Sequence, residues 1–261
     1  MPVILVCAAA AAIALSAAWL IVRRTGDGGW TDVVWTLSVG AIGAGAALWP
    51  EPGAAPARQA LVAILIAVWA LRLGGYLAVR TARAAAPDPR YEEFRKAWGG
   101  WGLKAWGFLM VQAATVLVLV VSVRAAAVRP EAELGWRDGL AVLIVVAAVA
   151  GEALADRQMA AFRRDPSNRG KVADTSLWAW SRHPNYFFEW LVWLAWPVMA
   201  LEPGDASSWL TLPAAVLMWW LLNHVSGVPM LEAQMLKSRP GAYRDYQSRV
   251  SRFLPRPPKP R

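Results

Sequence analysis

The sequence holds a single cysteine, Cys7, and only 17% of its residues are charged. One cysteine inside an apolar run excludes a disulfide framework and a cysteine-based metal site. Soluble domains carry about a quarter charged residues, so the low charge argues against a soluble globular protein and against disorder. The chain also lacks HExxH, CxxC, P-loop and GxGxxG motifs. We therefore predict neither a metal site nor a Rossmann nucleotide site.

Apolar residues make up 57% of the chain, and 17 residues are tryptophans, which are enriched at membrane interfaces. A helix needs roughly 20 residues to cross a bilayer. Seven apolar segments approach or exceed that length: 2–22, 31–49, 59–79, 105–127, 138–160, 186–201 and 208–227. The pattern predicts an all-α integral membrane protein, a bundle of about seven transmembrane helices in a single membrane domain, 1–261. Residues 1–135 would form four spans, and 136–261 three spans and a tail.

Positive charge is distributed unevenly along the chain. Of 27 Lys and Arg residues, 22 lie in the tail and in the loops that follow odd-numbered spans. Only four lie on the other side: Arg58, Arg124, Arg129 and Arg137. This bias places the N-terminus outside and the C-terminus in the cytoplasm, as in a protein of a bacterial inner membrane. The net charge of +9 is then a topology signal, and we predict no nucleic-acid partner.

Four residues of the third span share one helix face: Arg72, Tyr76, Arg80 and Arg83. The first and the last are separated by 11 positions, which correspond to about three helical turns. Guanidinium groups donate forked hydrogen bonds that match phosphate oxygens, so this stripe predicts phosphate recognition. The alternative is that Arg80 and Arg83 only anchor the helix at the interface. Arg72 lies about two turns inside the span and needs a carboxylate or phosphate partner.

The fifth span repeats this arrangement with Glu152, Asp156 and Arg163 on one face. Ionisable groups at membrane depth are costly, which makes each of them a functional candidate. The two acids are interpreted as partners of basic residues or as acceptors for ribose hydroxyls. The alternative is an internal ladder of salt bridges with no ligand.

The stretch 177–190 is the richest in polar and aromatic residues. Pro184 suits the first turn of a helix and predicts the start of the sixth span. Three residues then follow on one face: Asn185, Glu189 and Trp193. Arg182 and His183 precede the helix, where its dipole favours an anion. Glu189 is interpreted as a buried acid or as a fixed acceptor for an amide, and a purely structural role is the alternative.

Two further polar residues lie in the spans. Asp32, between Trp30 and Trp35 at the start of the second span, is a candidate proton donor. A helix N-cap is the alternative role for this carboxylate. His224, in the seventh span, is interpreted as a proton relay or as a core histidine with satisfied hydrogen bonds.

From Glu152 to Pro255 the sequence resembles the steroid 5-alpha-reductase superfamily, in particular its branch of uncharacterised bacterial membrane proteins. The matching features are the Asp156…Arg163 helix, Lys171, the segment Ser181-Arg-His-Pro-Asn-Tyr-Phe-Phe-Glu-Trp, and a tail with Tyr243-Arg-Asp-Tyr246 and Pro255. The resemblance implies NADPH as cofactor.

The contacts to NADPH that the resemblance implies lie at Asp156, Arg163, Lys171, Asn185, Glu189 and Trp193. We extend the predicted cofactor site to Glu152, Arg182, His183 and Tyr186. It also includes the third-span stripe of Arg72, Tyr76, Arg80 and Arg83, because its spacing matches the family's Arg/Tyr/Asn/Arg pattern. Arg80 stands where asparagine is usual, and Glu152 stands where the steroid enzymes carry asparagine.

The substrate half departs from the family pattern. A Gln-Glu pair is absent from the second span, and Trp69 occupies the position of the family's tyrosine. An indole cannot donate a phenolic proton, so a steroid enone is not the expected substrate. The candidate catalytic residues are Asp32, Glu189 and Tyr76.

We predict an integral-membrane reductase with its cofactor site facing the cytoplasm. It would use NADPH to transfer a hydride to a polarised carbon-carbon double bond of a lipid-soluble, steroid- or isoprenoid-like substrate. The Arg-His-Pro-x-Tyr element is also similar to one in membrane methyltransferases of the isoprenylcysteine and phospholipid classes. An S-adenosylmethionine-dependent methyltransferase is therefore the alternative, and a non-enzymatic membrane protein is a third interpretation. The expected partners are the bilayer and a lipid-soluble small molecule, and the sequence leaves the oligomeric state open.

Overall fold

The computed structural model describes residues 2–131 and 133–260. The fold is 78% helical, and the described part of the chain contains no β-strand. Its helices are α1 Pro2–Thr25, α2 Gly29–Leu48, α3 Pro56–Ala82, α4 Pro89–Trp98, α5 Leu103–Ala127, α6 Trp136–Arg164, α7 Leu177–Trp180, α8 Pro184–Ala200, α9 Leu212–Trp220, α10 Val228–Ser238 and α11 Pro240–Arg249. Short 3₁₀ helices lie at Pro166–Asn168 and Ala206–Thr211, and a π-helical turn at Leu221–Val225 follows α9.

Six helical segments within the described residues are long and apolar enough to cross a membrane. They are α1, α2, α3, α5, α6 and the segment Ala206–Ser238, which contains the predicted seventh span. The predicted sixth span corresponds to α8, whose 17 residues equal the lower limit for a spanning helix. The prediction of an all-α, multi-pass membrane bundle is therefore confirmed, and α8 begins at Pro184 as predicted.

The chain folds as two compact units. One comprises Met1–Leu140 and Trp196–Ala214, and the other comprises Ala141–Ala195 and Ala215–Arg261. The first unit contains α1 to α5. The second contains most of α6 together with α7, the start of α8, α10 and α11.

In the first unit, small residues let α2 and α3 approach closely. A Cβ atom added at Gly40 would lie 2.1 Å from the Cβ of Ala70, and one at Gly74 would lie 2.7 Å from Leu37. Glycine at such contacts is typical of helix pairs in membranes, where close backbone approach replaces the hydrophobic driving force. The glycine-rich stretch that begins at Gly40 is therefore a surface for packing between α2 and α3.

The loop between the third and fourth predicted spans contains a helix that the sequence analysis missed, α4. Asp88 caps its N-terminus by accepting a hydrogen bond from the Arg90 amide at 3.0 Å, and Pro89 occupies the first turn. Gly99, with φ +72°, ends it in the left-handed conformation that favours glycine. The Asp-Pro start and the glycine stop are recognisable signals, but Pro87-Asp-Pro was interpreted as a break between spans and the stretch as a loop.

The four arginines on the predicted outer side have structural partners. Arg58 pairs with Asp138 in α6. The other three each contact an acid and a backbone carbonyl within the first unit: Arg124 contacts Glu51 and Ala46, Arg129 contacts Glu131 and Met199, and Arg137 contacts Glu202 and Leu201. These arginines therefore connect helix ends. The exposed basic residues in the loops after the third and fifth predicted spans have a different role.

Candidate functional site

The predicted polar faces of α6 and α8 meet inside the second unit. The side-chain amide of Asn185 donates to Asp156 Oδ1 at 3.4 Å. Asp156, Glu152 and Glu189 are all buried, with 4–6% of their surface exposed. The spacing of these residues along two helices predicted that each set shares a face, and the structure shows that the two faces are turned toward each other.

Close packing holds the two helices together beside this polar face. A Cβ atom added at Gly151 would lie 2.4 Å from the ring of Phe188, so only glycine leaves room for that ring. Further along α8, the Trp193 indole N–H donates to Glu189 Oε1 at 3.2 Å, and Trp193 is fully buried. The carboxylate of Glu189 is thus oriented from one side by an indole one turn away.

Exposed basic residues lie at and beyond the C-terminal end of α6. The distribution of charge predicts that this end faces the cytoplasm. Arg163 lies in the last turn of α6, and Lys171 follows the short 3₁₀ helix Pro166–Asn168. Both side chains are exposed. The second unit therefore combines buried carboxylates and an amide with exposed cations beyond one helix end.

A carboxylate that the sequence analysis missed, Glu232 in α10, organises the C-terminal segment. Arg182 Nε donates to its Oε1 at 2.7 Å, and His183 Nε2 lies 3.3 Å from the same oxygen. The Tyr243 hydroxyl donates to Oε1 at 3.2 Å, and the Gln247 amide donates to Oε2 at 2.9 Å. The partners lie at least 11 residues away in sequence, so no local pattern indicated this cluster.

Arg182 also binds the tail directly. Its guanidinium donates to the Val250 and Gln247 carbonyls, and its backbone N–H donates to the Ser251 carbonyl at 2.8 Å. We predicted that Arg182 and His183 favour an anion before α8, and the anion beside them in this structure is Glu232. A contact of either residue with NADPH stays a prediction. Tyr186, also in the predicted cofactor set, stacks on the His183 ring with centroids 5.8 Å apart.

His183 gives the C-terminal cluster a dependence on pH. Burial lowers the pKa of the His183 imidazole, and this effect outweighs the opposing influence of Glu232; Arg182 and Arg252 lower the pKa further. The unfolded chain, with a histidine pKa of about 6.5, therefore takes up a proton first as the pH falls. The contribution of neutral His183 to stability is complete above pH 6.5 and declines below it.

We expect the stability advantage of the wild type over His183→Gln to shrink between pH 7.5 and 5.5. Melting curves of both proteins in one detergent, at several pH values, measure this difference directly. A difference that is constant with pH, or that grows in acid, would contradict a neutral buried imidazole.

The four residues of the predicted third-span stripe lie in the first unit, and their side chains have different surroundings. The Arg72 guanidinium carbon lies 5.6 Å from the centre of the Tyr76 ring, a cation–π geometry. Arg80 pairs with Asp88 at 3.5 Å, and its side chain is 43% exposed. Arg83 caps the C-terminus of α3 and is exposed. Trp69, one turn before Arg72 in the same helix, is fully buried.

Asp32 does not cap α2, so that alternative is wrong. The N-cap is Gly28, and Asp27 accepts the hydrogen bond from the Gly29 amide at 2.8 Å. Asp32 instead accepts from the Tyr91 hydroxyl at 2.6 Å and from Arg90 at 2.8 Å. Burial raises the pKa of the Tyr91 phenol, and the Asp32 carboxylate raises it further. The Asp32 carboxylate thus attaches α4 to the start of α2.

Two other sequence interpretations can be compared with the structure. His224 is exposed in the π-helical turn, with its ring edge-on to Trp219, so the interpretation as a core histidine is wrong. Among residues 2–131 and 133–260, no group of three or more His, Cys, Asp or Glu residues is arranged to hold a metal ion.

Comparison with known proteins places these features in a family. Residues 18–250 match the family model described as "Protein of unknown function (DUF1295)". The chain is similar to "Uncharacterized protein C594.04c" of Schizosaccharomyces pombe, with 35% identity over 83 residues. That match covers 31% of this chain and 23% of the yeast protein, so the chain spans less than a quarter of this relative's length. No solved structure matches the sequence. Because the family model covers most of the sequence, the chain belongs to the DUF1295 family.

Proposed function

We propose that this protein is an integral-membrane reductase that uses NADPH to reduce a polarised double bond of a lipid-soluble substrate. The observation that carries the proposal is the meeting of buried Asp156 and Glu189 with half-buried Asn185 on the facing sides of α6 and α8. Polar groups at membrane depth are expensive and mark functional sites. The resemblance of Glu152–Pro255 to the steroid 5-alpha-reductase superfamily gives the cofactor its identity in this proposal.

The chemistry of the available groups fits a dinucleotide. Buried carboxylates such as Asp156 accept hydrogen bonds from hydroxyl groups, as ribose requires. Asn185 and Glu189 offer a donor and an acceptor one turn apart on α8, a combination that suits a carboxamide. Arg163 in the last turn of α6 and Lys171 beyond that helix are both exposed, where cations can bind phosphates.

When bound, NADPH would supply the hydride. Asn185 and Glu189 would hold the carboxamide end, and Asp156 would hold a ribose hydroxyl. Trp193 fixes the Glu189 carboxylate at 3.2 Å, so little reorganisation is needed when a ligand binds. The buried surroundings of these residues would exclude water, which strengthens their hydrogen bonds. Proton-donor roles for Asp32, Glu189 and Tyr76 stay predictions.

Thermal melting of the purified protein in mild detergent tests the cofactor. NADPH, NADH and S-adenosylmethionine are added in parallel, each at several concentrations. A ligand at 100 times its Kd stabilises a protein by about 2.7 kcal/mol. We expect NADPH to raise the melting temperature, and Glu189→Gln and Asn185→Ala to reduce that rise. Arg163→Ala, an exposed change that leaves the buried site intact, should weaken NADPH binding by roughly tenfold.

Glu202→Gln is the matched control, because this acid is 56% exposed and lies in the first unit. It should leave the shift with NADPH unchanged. Equal shifts in the wild type, Glu189→Gln, Asn185→Ala and Arg163→Ala would contradict the site. Stabilisation by S-adenosylmethionine alone would replace the reductase with the methyltransferase that the Arg-His-Pro-x-Tyr element also suggests.

A further inference from the structure

The first unit contains a cavity of about 160 Å³ that the proposed reaction does not use. This volume is roughly ten times the 10–15 Å³ that one water molecule requires. Apolar residues, among them Ile4 of α1 and Val121 of α5, line it together with Arg124, Arg129, Asp205 and Ser207. The lining therefore combines apolar side chains with side chains of both charges.

Its position is at an end of membrane helices. Ile4 lies in the first turn of α1, and Arg124 lies in the last turn of α5. Three other basic residues lie at the helix ends away from the cavity. Arg23 and Arg24 are in the last turn of α1, and Lys104 is at the start of α5. A cavity at this level lies where lipid headgroups meet acyl chains.

The two arginines are fixed in place. Arg124 donates to the Ala46 carbonyl at 2.7 Å and to Glu51, and it is only 8% exposed. Arg129 donates to the Met199 carbonyl at 2.7 Å and pairs with Glu131. A guanidinium has five N–H donors, so these contacts leave each group with donor capacity toward the cavity.

The lining also contains a carboxylate, that of Asp205. Asp205 precedes the 3₁₀ helix Ala206–Thr211 and accepts from the Ser207 amide at 2.9 Å and from the Ser207 hydroxyl at 2.7 Å. The lining thus holds two guanidiniums and one carboxylate, and each guanidinium also pairs with an acid outside the lining, Glu51 or Glu131. This balance disfavours a purely anionic ligand and favours one with both charges.

We propose that this cavity binds the headgroup of an aminophospholipid. Its phosphate would lie against Arg124 and Arg129, its ammonium against Asp205, and the start of an acyl chain against Ile4 and Val121. An ammonium group donates hydrogen bonds to a carboxylate and a hydroxyl, whereas a choline headgroup has no N–H donor. The site therefore selects ethanolamine over choline.

Native mass spectrometry of the delipidated full-length protein tests this selection. Phosphatidylethanolamine and phosphatidylcholine with identical chains are titrated separately. We expect the ethanolamine lipid to bind at least about tenfold more tightly, the value of one good charge-assisted hydrogen bond. Asp205→Asn keeps the side-chain oxygen that caps the 3₁₀ helix but removes the charge, and it should abolish the preference. Equal binding of both lipids to the wild type would overturn the proposal.

The chain offers a matched control for this variant. Asp165 precedes the other 3₁₀ helix, Pro166–Asn168, and accepts from the Ser167 amide at 2.9 Å. Asp165→Asn makes the same chemical change in the second unit, and it should leave the preference intact. Loss of the preference in Asp165→Asn, or its retention in Asp205→Asn, would contradict the assignment to this cavity. Phosphoethanolamine without acyl chains should bind much more weakly; equal binding would show that the ligand is not a lipid.

Discussion

An Arg58→Ala variant is expected to lose about 3–5 kcal/mol of its free energy of unfolding. The Arg58 side chain is fully buried, and its Nε donates to Asp138 Oδ1 at 3.0 Å. Its terminal nitrogens donate to the carbonyls of Arg129, Glu131 and Glu133. Removing the guanidinium would leave a buried carboxylate and three carbonyls without this donor, which is the costly way to disrupt a buried ion pair.

Denaturant or thermal unfolding in detergent measures the loss, and an exposed arginine at the other end of the same helix provides the control. Arg83→Ala should change stability by no more than about 0.5 kcal/mol. The double variant Arg58→Met with Asp138→Leu should recover part of the lost stability, because it removes both buried charges. The recovery should be incomplete, because the three carbonyls still lack their donor. A loss below about 1 kcal/mol in Arg58→Ala would show that water replaces the guanidinium.

Arginines that are alike in sequence have different roles in this structure. Arg58 and Arg124 bind carbonyls and acids at one end of the first unit. Arg182 holds the C-terminal tail. Arg163 is exposed and stays available for a ligand. The positions of the arginines along the chain predicted a side of the membrane for each group, but only the identity of its partners separates a structural arginine from a binding one.

The features that were predicted correctly are those with short-range physical causes. Long apolar runs specify membrane helices, because every backbone polar group must be satisfied inside the segment. Pro184 fixed the start of α8, and the repeat of Asn185 and Glu189 every four residues fixed their common face.

Helix α4 was missed despite its local signals, but the other features that were missed depend on partners far apart in sequence. Glu232 lies 50 residues from Arg182 and 49 from His183, and nothing around it differs from an ordinary solvated acid on a short helix. Asp32 showed the converse problem. Its position near the start of α2 suggested a cap, whereas Tyr91, 59 residues away, is the hydrogen-bond partner. Such pairs become visible only when tertiary packing brings the elements together.

Glu232→Ala is expected to destabilise the second unit by about 3–5 kcal/mol and to release the C-terminal tail. The carboxylate is 14% exposed and its partner Arg182 is 9% exposed, so a buried guanidinium would lose its ionic partner. Tyr243 and Gln247 of α11 also donate to Glu232, so the change removes contacts that join α10, α11 and the segment before α8. Limited proteolysis should then cleave the chain after α10 more rapidly than in the wild type, and the melting temperature should fall.

The matched control for this prediction is Asp245→Asn in α11. Asp245 is 62% exposed and pairs with Arg249 one turn away, an arrangement worth at most about 0.5 kcal/mol. It should therefore leave both the melting temperature and the proteolysis rate near wild-type values.

Glu232→Gln separates charge from hydrogen bonding, because the amide oxygen can still accept from Arg182 while the charge is lost. If Glu232→Gln behaves like the wild type, the hydrogen bonds to Glu232 hold the tail. If it behaves like Glu232→Ala, the ion pair with Arg182 does. Equal stability of Glu232→Ala and Asp245→Asn would show that contacts other than those of Glu232, such as the carbonyl contacts of Arg182, hold the tail.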